Sequence, residues 1–553
     1  MEGSELIQAW KAMASLHERM RTVWDECARW FLPQQYPLES DDASRAANTI
    51  TDTVSGVGIR AAADMAAGIF TNTVQIGEPW FQFDAVDAEQ DDDESKIQRA
   101  IASRAVLVAL QNSNIIEELH GSLQVYPIYG TGVIYQWSDN GLPRFRSYSI
   151  ADCRISEDMD GNPNRVFRKY KMSAQQCVEW FTSPGDVIPA TVRAQSEKLE
   201  TAVTESDYLH VVIPRNGGGV RGSLRPEQSP VVGYHVHVES GTIIREESHL
   251  WFPYAVYRFS KIGTCPCGVG PGQQSLPDVR MMMRSTEDFI AAHEYAAEPP
   301  VFLPPGVSKD DVDMRAGAIN SVVGPNGEMP VFATNGGVDF RAMMEFKIDI
   351  ENKVREFFFS DLFRMLATAP KGMTATEVLE RNNEKIQLLL PMISRMQSEL
   401  FEVIVMNTLM MLIKSNQIQN PQFLVEEGKL GGKPKIKITY TNRLAARLKD
   451  VEISRTLEAL QICALVMQSV QSSQVIDANL DSSKLVRMTL EDKGVRSEAI
   501  RPADQANKML QAMEDQARAA MAQQAASGLI KPVDLQQAPA PGSALSAMEG
   551  QIF

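Results

Sequence analysis

SLPDVRMMMRSTEDFIAAHEYAAE, residues 275–298, reads as one amphipathic helix. Leu276, Val279, Met283, Thr286, Ile290, His293 and Ala297 recur at three and four, which lines them up on one side of a helix. Ser275 is placed to cap the start, Pro277 suits a first turn that needs no backbone N–H, and Asp278 stands at the capping-box position. Pro299 and Pro300 stop the helix. A second helix of matched length is expected over residues 343–366. Its stripe is Phe346, Ile350, Val354, Phe357 or Phe358, Leu362 and Met365, and Asp349–Lys353 and Glu351–Arg355 form i,i+4 charge pairs on its other face. At about 1.5 Å per residue each helix is about 33–36 Å long.

Between the two helices, short apolar runs are broken by Pro304-Pro305, Pro325-Asn326-Gly327 and Asn335-Gly336-Gly337, which is turn and strand material. After the second helix, residues 367–373 form a loop containing Pro370, Lys371 and Gly372, with Lys371 its one charge. Thr374-Ala375-Thr376-Glu377 is a capping box that restarts a helix, which Pro391 breaks or kinks before it runs on to Ser415. A single chain rarely needs such long, matched helices for its own core. They suit a subunit of a ring with a central channel.

The rest of the chain reads as mixed α+β. Helices are expected over 5–31, where Leu6, Trp10, Met13, Leu16, Met20, Val23 and Cys27 recur, over the Ala- and Gly-rich 48–70, and over 94–124. Pro79 to Phe83 alternates like a strand, and Gly130-Thr131-Gly132 is a turn that opens another. Short strands follow near 145–150, 210–213, 231–238 and 250–259, with a helix near 173–182. Asp160-Gly161-Asn162-Pro163 and Asn216-Gly217-Gly218-Gly219 are turns. Ile436 to Tyr440 is a strand, 444–493 returns to short helices, and 504–526 is a Gln/Ala-rich helix before a Pro/Ala-rich tail.

With 553 residues, the chain is expected to form three to four compact units. Its 44% hydrophobic and 22% charged residues are ordinary for a soluble globular protein. No run of about 18 apolar residues suggests a bilayer span. The polar start predicts a protein made and used without secretion. Six scattered cysteines (Cys27, Cys153, Cys177, Cys265, Cys267 and Cys463) are too few for a disulfide framework, and the lone Cys265-x-Cys267 lacks a second pair for zinc. A net charge of −16 opposes a tight grip on phosphate. It is compatible with a surface past which DNA slides.

Catalytic motifs fail one by one. Gly428-Lys429-Leu430 and Gly432-Lys433-Pro434 lack the glycine spacing and Ser/Thr of a nucleotide-binding loop. Gly268-Val269-Gly270-Pro271-Gly272 fails the dinucleotide pattern and reads as a turn, and no G-x-S-x-G occurs. His235 and His237 share one face of a strand, but with no third ligand in view they read as ordinary strand histidines. Asp310, Asp311 and Asp313 read as a solvated acidic turn, because two-metal chemistry needs carboxylates converging from separate elements. Neither an enzyme nor a cofactor or metal is expected. A structural assembly protein and a binding module remain.

One set of motifs points to a family. Trp80-Phe81 follows the Ala/Gly helix, and Tyr129-Gly130-Thr131-Gly132 leads a strand. Val256-Tyr257-Arg258-Phe259, Gly268-Val269-Gly270-Pro271-Gly272, Leu276-Pro277-Asp278 and Glu298-Pro299-Pro300 come next. Met373-Thr374-Ala375-Thr376-Glu377-Val378 and the strand near Tyr440 leading to Leu444-Ala445-Ala446 complete the set. None is diagnostic alone. In this order and spacing, over residues 5–502, the chain resembles the portal, or head-to-tail connector, proteins of short-tailed, T7-like bacteriophages.

That resemblance implies an α+β, portal-type ring subunit. Residues 1–272 would be the wing, 273–298 the first stem helix, 299–342 the clip, 343–366 the second stem helix and 367–373 the tunnel loop. Residues 374–443 would be the long kinked helix and return strand of the wing, 444–504 the helical crown, and 505–553 a C-terminal helix and flexible tail able to extend it as a barrel. It implies a dodecamer at one capsid vertex of the virion, assembled in the host cytoplasm without a membrane partner. Double-stranded DNA would pass non-specifically through its axis. The other partners would be the major capsid protein, the terminase and then the tail adaptor. Pro370, Lys371, Gly372 and Arg364 are the expected DNA-proximal residues, and Asp310, Asp311, Asp313 and Arg315 the expected clip interface. The alternative is a tail adaptor or other ring-forming scaffold with no role in gating DNA.

Overall fold

The computed structural model describes residues 2–36, 55–74, 78–86, 93–139, 141–215, 229–263, 265–297, 301–302, 331–332, 339–367, 389–418 and 436–441, with residues 509, 512, 515, 516 and 519 further on. In chain order the α-helices are α1 (Gly3–Ala12), α2 (Ala14–Phe31), α3 (Val57–Thr73), α4 (Asp93–Gln111), α5 (Ile115–Tyr129), α6 (Ala174–Trp180), α7 (Ala190–Ser196), α8 (Leu199–Ala202), α9 (Pro271–Gln274), α10 (Leu276–Ala297), α11 (Phe340–Phe357), α12 (Ser360–Ala367) and α13 (Leu389–Lys414). The strands are β1 (Phe81–Ala85), β2 (Thr131–Asp139), β3 (Leu142–Tyr148), β4 (Cys153–Glu157), β5 (Pro163–Ser173), β6 (Glu205–Pro214), β7 (Val231–His237), β8 (Ile243–His249), β9 (Tyr254–Arg258), β10 (Val301–Phe302), β11 (Val331–Phe332) and β12 (Ile436–Tyr440). The α+β expectation holds.

Two antiparallel sheets organise the first half. β4 to β8 form a five-stranded meander in sequence order, and β3-β2-β9 form a second sheet. Strand alternation divides the meander's side chains. Phe167, Leu209, Val211, Ile213, Val232, Tyr234 and Val236 pack with Leu6 and Ile7 of α1. The opposite face carries Tyr170, Tyr208, His210, His235 and Glu247. The larger core joins α2, α3, α5, β2 and β9 to the start of α10, the end of α11 and α13. β12 returns to pair antiparallel with β1, with Phe81 opposite Tyr440. α13 is long and apolar, but most of it lies inside this core.

Several boundaries differ from the sequence reading. The helix expected over 5–31 is two helices hinged at Met13. That over 94–124 is broken by a turn at residues 112–114, where Asn114 exchanges two hydrogen bonds with the Phe145 backbone, at 2.8 and 2.9 Å. This long-range contact overrides a continuous helical pattern. The strand expected over 250–259 is shortened to β9, and β8 ends before it at His249. β4 and β5 had no counterpart in the sequence reading. The irregularity in α13 is a π-helical turn at Gln397–Phe401, whereas Pro391 lies within its first described turn. The helix near 173–182 holds as α6, with Ser173 and Gln176 forming a reciprocal capping box. Helical positions at 509, 512, 515, 516 and 519 agree with the Gln/Ala-rich helix. Residues 444–504, expected to be the crown, lie outside the described residues.

Candidate functional site

The root of the α10–α11 hairpin is a backbone junction made by two of the motifs. α5 ends at Gly130, whose φ of 70° is the left-handed conformation that glycine adopts freely. A Cβ there would stand 2.4 Å from the Gly270 nitrogen, and one on Gly268 would stand 2.2 Å from the Gly130 carbonyl oxygen. The two glycine runs therefore cross with main chain against main chain. Thr131 Oγ1 accepts the Gly268 N–H at 2.8 Å, and Gln273 Nε2 donates to the Tyr129 carbonyl at 2.7 Å. Gly132 lies opposite Tyr257 on β9, and a Cβ on it would strike that ring.

From this junction the chain passes through α9 directly into α10. Ser275 does not cap α10. It is buried in helical geometry and donates to the Gly272 carbonyl at 3.3 Å, because α9 already supplies the turn ahead of it. Val279, Met282, Met283 and Thr286 are buried, as are Ile350, Val354 and Phe358 on the returning side. Phe358 meets Phe31 of α2 with ring centroids 5.3 Å apart. Arg280 forms a two-pronged ion pair with Glu26 of α2. The hydrogen bonds from Arg280 hold the Glu26 carboxyl below the usual carboxylate range.

The stripe expected on residues 343–366 belongs to two helices. Asp339 caps α11 through the N–H groups of Arg341 and Ala342, and the chain breaks at Phe358-Phe359 before α12, with Phe359 at a φ of 50°. Both expected charge pairs form, Asp349–Lys353 at 2.8 Å and Glu351–Arg355 at 3.2 Å. Near the far end Phe289 meets Phe340 edge-on at 6.3 Å, and Lys347 lies over the Phe289 ring.

Burial is uneven along the hairpin. Ile290 is 42% exposed, Met344 55%, Phe346 51% and Ile348 46%. Met281 adds another exposed apolar side chain beside the buried root. Ile290 and Phe346, expected to be covered, are thus on the surface. Arg280, Met281, Arg284, Ser285, Asp288, Met343 and Phe346 border a groove across both helices. Beyond them, β10 and β11 pair antiparallel, with Val301 opposite Phe332, so the two ends of the insert come together.

The named contact residues are placed only in part. Arg364 lies in α12. Pro370, Lys371 and Gly372 lie outside the described residues, as do Asp310, Asp311, Asp313 and Arg315. His237 sits beside the Ser240 hydroxyl at 2.9 Å. His235 instead meets His210 and Glu247, which lie far from it in sequence and which the sequence reading did not connect with it. His210 and His235 were visible as polar residues within the apolar runs of β6 and β7, but on β8 Glu247 stands among Arg245, Glu246 and Ser248, so nothing in that strand singled it out. Cys265 and Cys267 remain free thiols, and no third ligand joins them among the described residues.

Similarity to known proteins covers this whole arrangement. The family model described as bacteriophage head to tail connecting protein matches residues 3–500. The chain is 25% identical over 429 residues to a probable portal protein of Bordetella phage BPP-1, covering 75% of each chain. It is 22% identical over 512 residues to the portal protein of Salmonella phage epsilon15, covering 90% of this chain and 89% of that one. The chain belongs to the family of bacteriophage head to tail connecting proteins, a structural family of the phage particle.

Proposed function

We propose that the chain is one subunit of a dodecameric portal ring at a capsid vertex, through whose channel double-stranded DNA is packaged and later ejected. The observation that carries this reading is the apolar surface on the α10–α11 hairpin. Ile290, Met344, Phe346 and Ile348 are exposed on helices whose roots are firmly buried. Exposed apolar side chains on an elongated hairpin suit association, and in a ring each hairpin would be covered by its neighbours.

In this reading α10 and α11 are the stem, and the insert between them is the clip that meets terminase and then the tail adaptor. Asp310, Asp311, Asp313 and Arg315 belong to that contact. The wing, residues 1–272, meets the major capsid protein. Residues 367–373 reach the channel, where Lys371, flanked by Pro370 and Gly372, touches the DNA backbone with Arg364 nearby. The net charge of −16 supports loose contact, because acidic residues outnumber basic ones, 70 to 54, and oppose a close approach to phosphate.

Imaging of the purified full-length protein tests the assembly. A closed ring of about twelve copies with an axial hole wide enough for duplex DNA is expected. A protein that stays monomeric at high concentration overturns the reading, and a ring too narrow for DNA favours the tail-adaptor alternative. Lys371→Ala and deletion of residues 368–372 test the loop. Unchanged packaging and genome retention in both variants would remove its gating role.

A further inference from the structure

The polar face of the five-stranded sheet gathers histidines from adjacent strands. His210 on β6 and His235 on β7 are direct cross-strand partners, and their rings stack at 4.3 Å with planes 7° apart. Glu247 on β8 brings its Oε1 to 3.6 Å from His235 Nε2. The three side chains offer ligand atoms that all lie within 4.8 Å of one another. His249 adds a fourth group, its Nε2 3.5 Å from Glu247 Oε2. Gly233, opposite Glu247, makes the space for it, since a Cβ there would stand 2.9 Å from His249 Nε2.

The surrounding tyrosines each hold one nitrogen of a ring. The Tyr254 hydroxyl is 2.7 Å from His210 Nδ1, and the Tyr170 hydroxyl is 3.0 Å from His235 Nδ1. Holding one ring nitrogen fixes the imidazole and leaves the other, Nε2, for a ligand. His210 is 1% exposed and its Nε2 has no hydrogen-bond partner. Buried polar nitrogens are nearly always partnered, so an orphan aimed at a carboxylate and a second imidazole calls for an occupant. Two cations border the cluster: Arg168, opposite His210 on β5, lies over the Tyr148 and Tyr170 rings, and Arg245 has its Nη1 3.9 Å from Glu247 Oε1. The Arg245 guanidinium is already held by Asp186 at 2.6 and 2.9 Å, and the Tyr135 hydroxyl donates to Glu247 Oε2 at 3.5 Å, which leaves Glu247 Oε1 facing His235. A cavity of about 1360 Å³ opens onto the cluster and gives an ion a way in.

We propose that His210, His235 and Glu247 bind a divalent first-row transition metal, zinc by ligand chemistry, with His249 as the fourth ligand. Two imidazoles and a carboxylate suit zinc in tetrahedral coordination. The ion ties β6, β7 and β8 together. Through Tyr254 on β9 it also links the meander to the three-stranded sheet. It supplies a cross-link to the wing, and no catalytic step is assigned to it.

The test uses the untagged full-length protein, stripped with chelator and dialysed against Zn²⁺. One zinc per chain is expected by elemental analysis, and Co²⁺ in its place is expected to give the intense visible bands of tetrahedral coordination. Glu247→Gln and His235→Ala should each lower zinc affinity about tenfold or more, and Tyr254→Phe about tenfold through the ring it orients. His293→Ala, on the exposed hairpin, should leave affinity unchanged. Circular dichroism identifies the variants that fold. Wild-type protein that retains no zinc, a Co²⁺ spectrum without tetrahedral bands, or folded Glu247→Gln protein that binds zinc as tightly as wild type each overturns the site. The wild-type measurements decide the question even where a variant fails to fold.

Discussion

Glu399 holds Arg258 by both its main chain and its side chain. One carboxylate oxygen accepts the Arg258 backbone N–H at 2.8 Å, and the other accepts Nε–H at 3.1 Å. The Arg258 side chain is 2% exposed and that of Glu399 11%. Glu157 and the Gly161 carbonyl take the remaining guanidinium donors. Glu399 sits in the π-helical turn of α13, so the irregular helix carries the residue that fastens it to β9. Removing one partner of a buried pair leaves the other charge uncompensated. Glu399→Ala is therefore expected to cost about 3 kcal/mol, and Glu399→Gln less, by chemical denaturation. An unchanged midpoint for Glu399→Ala would show that Glu157 alone satisfies Arg258.

The glycine crossing predicts opposite outcomes for two similar substitutions. Gly130→Ala puts a Cβ 2.4 Å from the Gly270 nitrogen at a φ of 70°, and neither backbone can yield. It should lose about 3 kcal/mol or more, or fail to give soluble protein. Gly121 lies in α5, and a Cβ on it would meet nothing within 4 Å, so Gly121→Ala should gain about 0.5–1 kcal/mol from helix propensity. Thermal melts of the two variants side by side give the comparison.

Charge placed on the hairpin surface should separate folding from assembly. Met344 and Phe346 are 55% and 51% exposed in the single chain. Met344→Asp with Phe346→Asp should change the stability of the isolated subunit by about 0.5 kcal/mol or less, as surface substitutions do. Ring formation should be lost, as read by native mass spectrometry. Rings that persist in the double variant would move the subunit contact elsewhere.

Acid should destabilise the protein through His17. The residue is 9% exposed beside Trp24, and its Nε2 lies 3.4 Å from the Ile150 carbonyl. Burial is the largest influence and holds its pKa below the ordinary 6.5, with Arg154 adding to the effect. The unfolded chain therefore binds the proton more readily than the folded one. His17 contributes stability that is fully present above pH 6.5 and is lost as pH falls from there toward its lowered folded value. Melting temperature should drop between about pH 7.5 and about pH 5, and His17→Gln should flatten that limb. An identical acid limb in the variant would assign the effect to other groups.

What the sequence revealed was what neighbouring residues decide. The stripe of Val279, Met283 and Thr286, the Asp349–Lys353 pair, the helix near 173–182 and the strand at Ile436 all depend on local spacing, and all are present. The glycine motifs were visible as turns. That Gly130 would meet Gly268 and Gly270 was not, because it depends on where α5 and β9 bring two distant loops. The break at Asn114 was hidden for the same reason, since its cause is the Phe145 backbone. The grouping of His210, His235 and Glu247 required the register of three strands, which a pattern of single strands does not contain.

The main-chain crossing at Gly130 and Gly270 has a geometric consequence for any closed assembly. Side chains at a joint can adopt new rotamers and let the angle between two parts drift. Here the hairpin leaves the sheets from an elbow in which backbone rests on backbone, so its departure angle has little play. In a circle of identical parts a small angular error in one part repeats at every joint, and the last part misses the first. The paired glycines act as a mitre cut into the chain, setting the angle at which copies meet before any copy has met another.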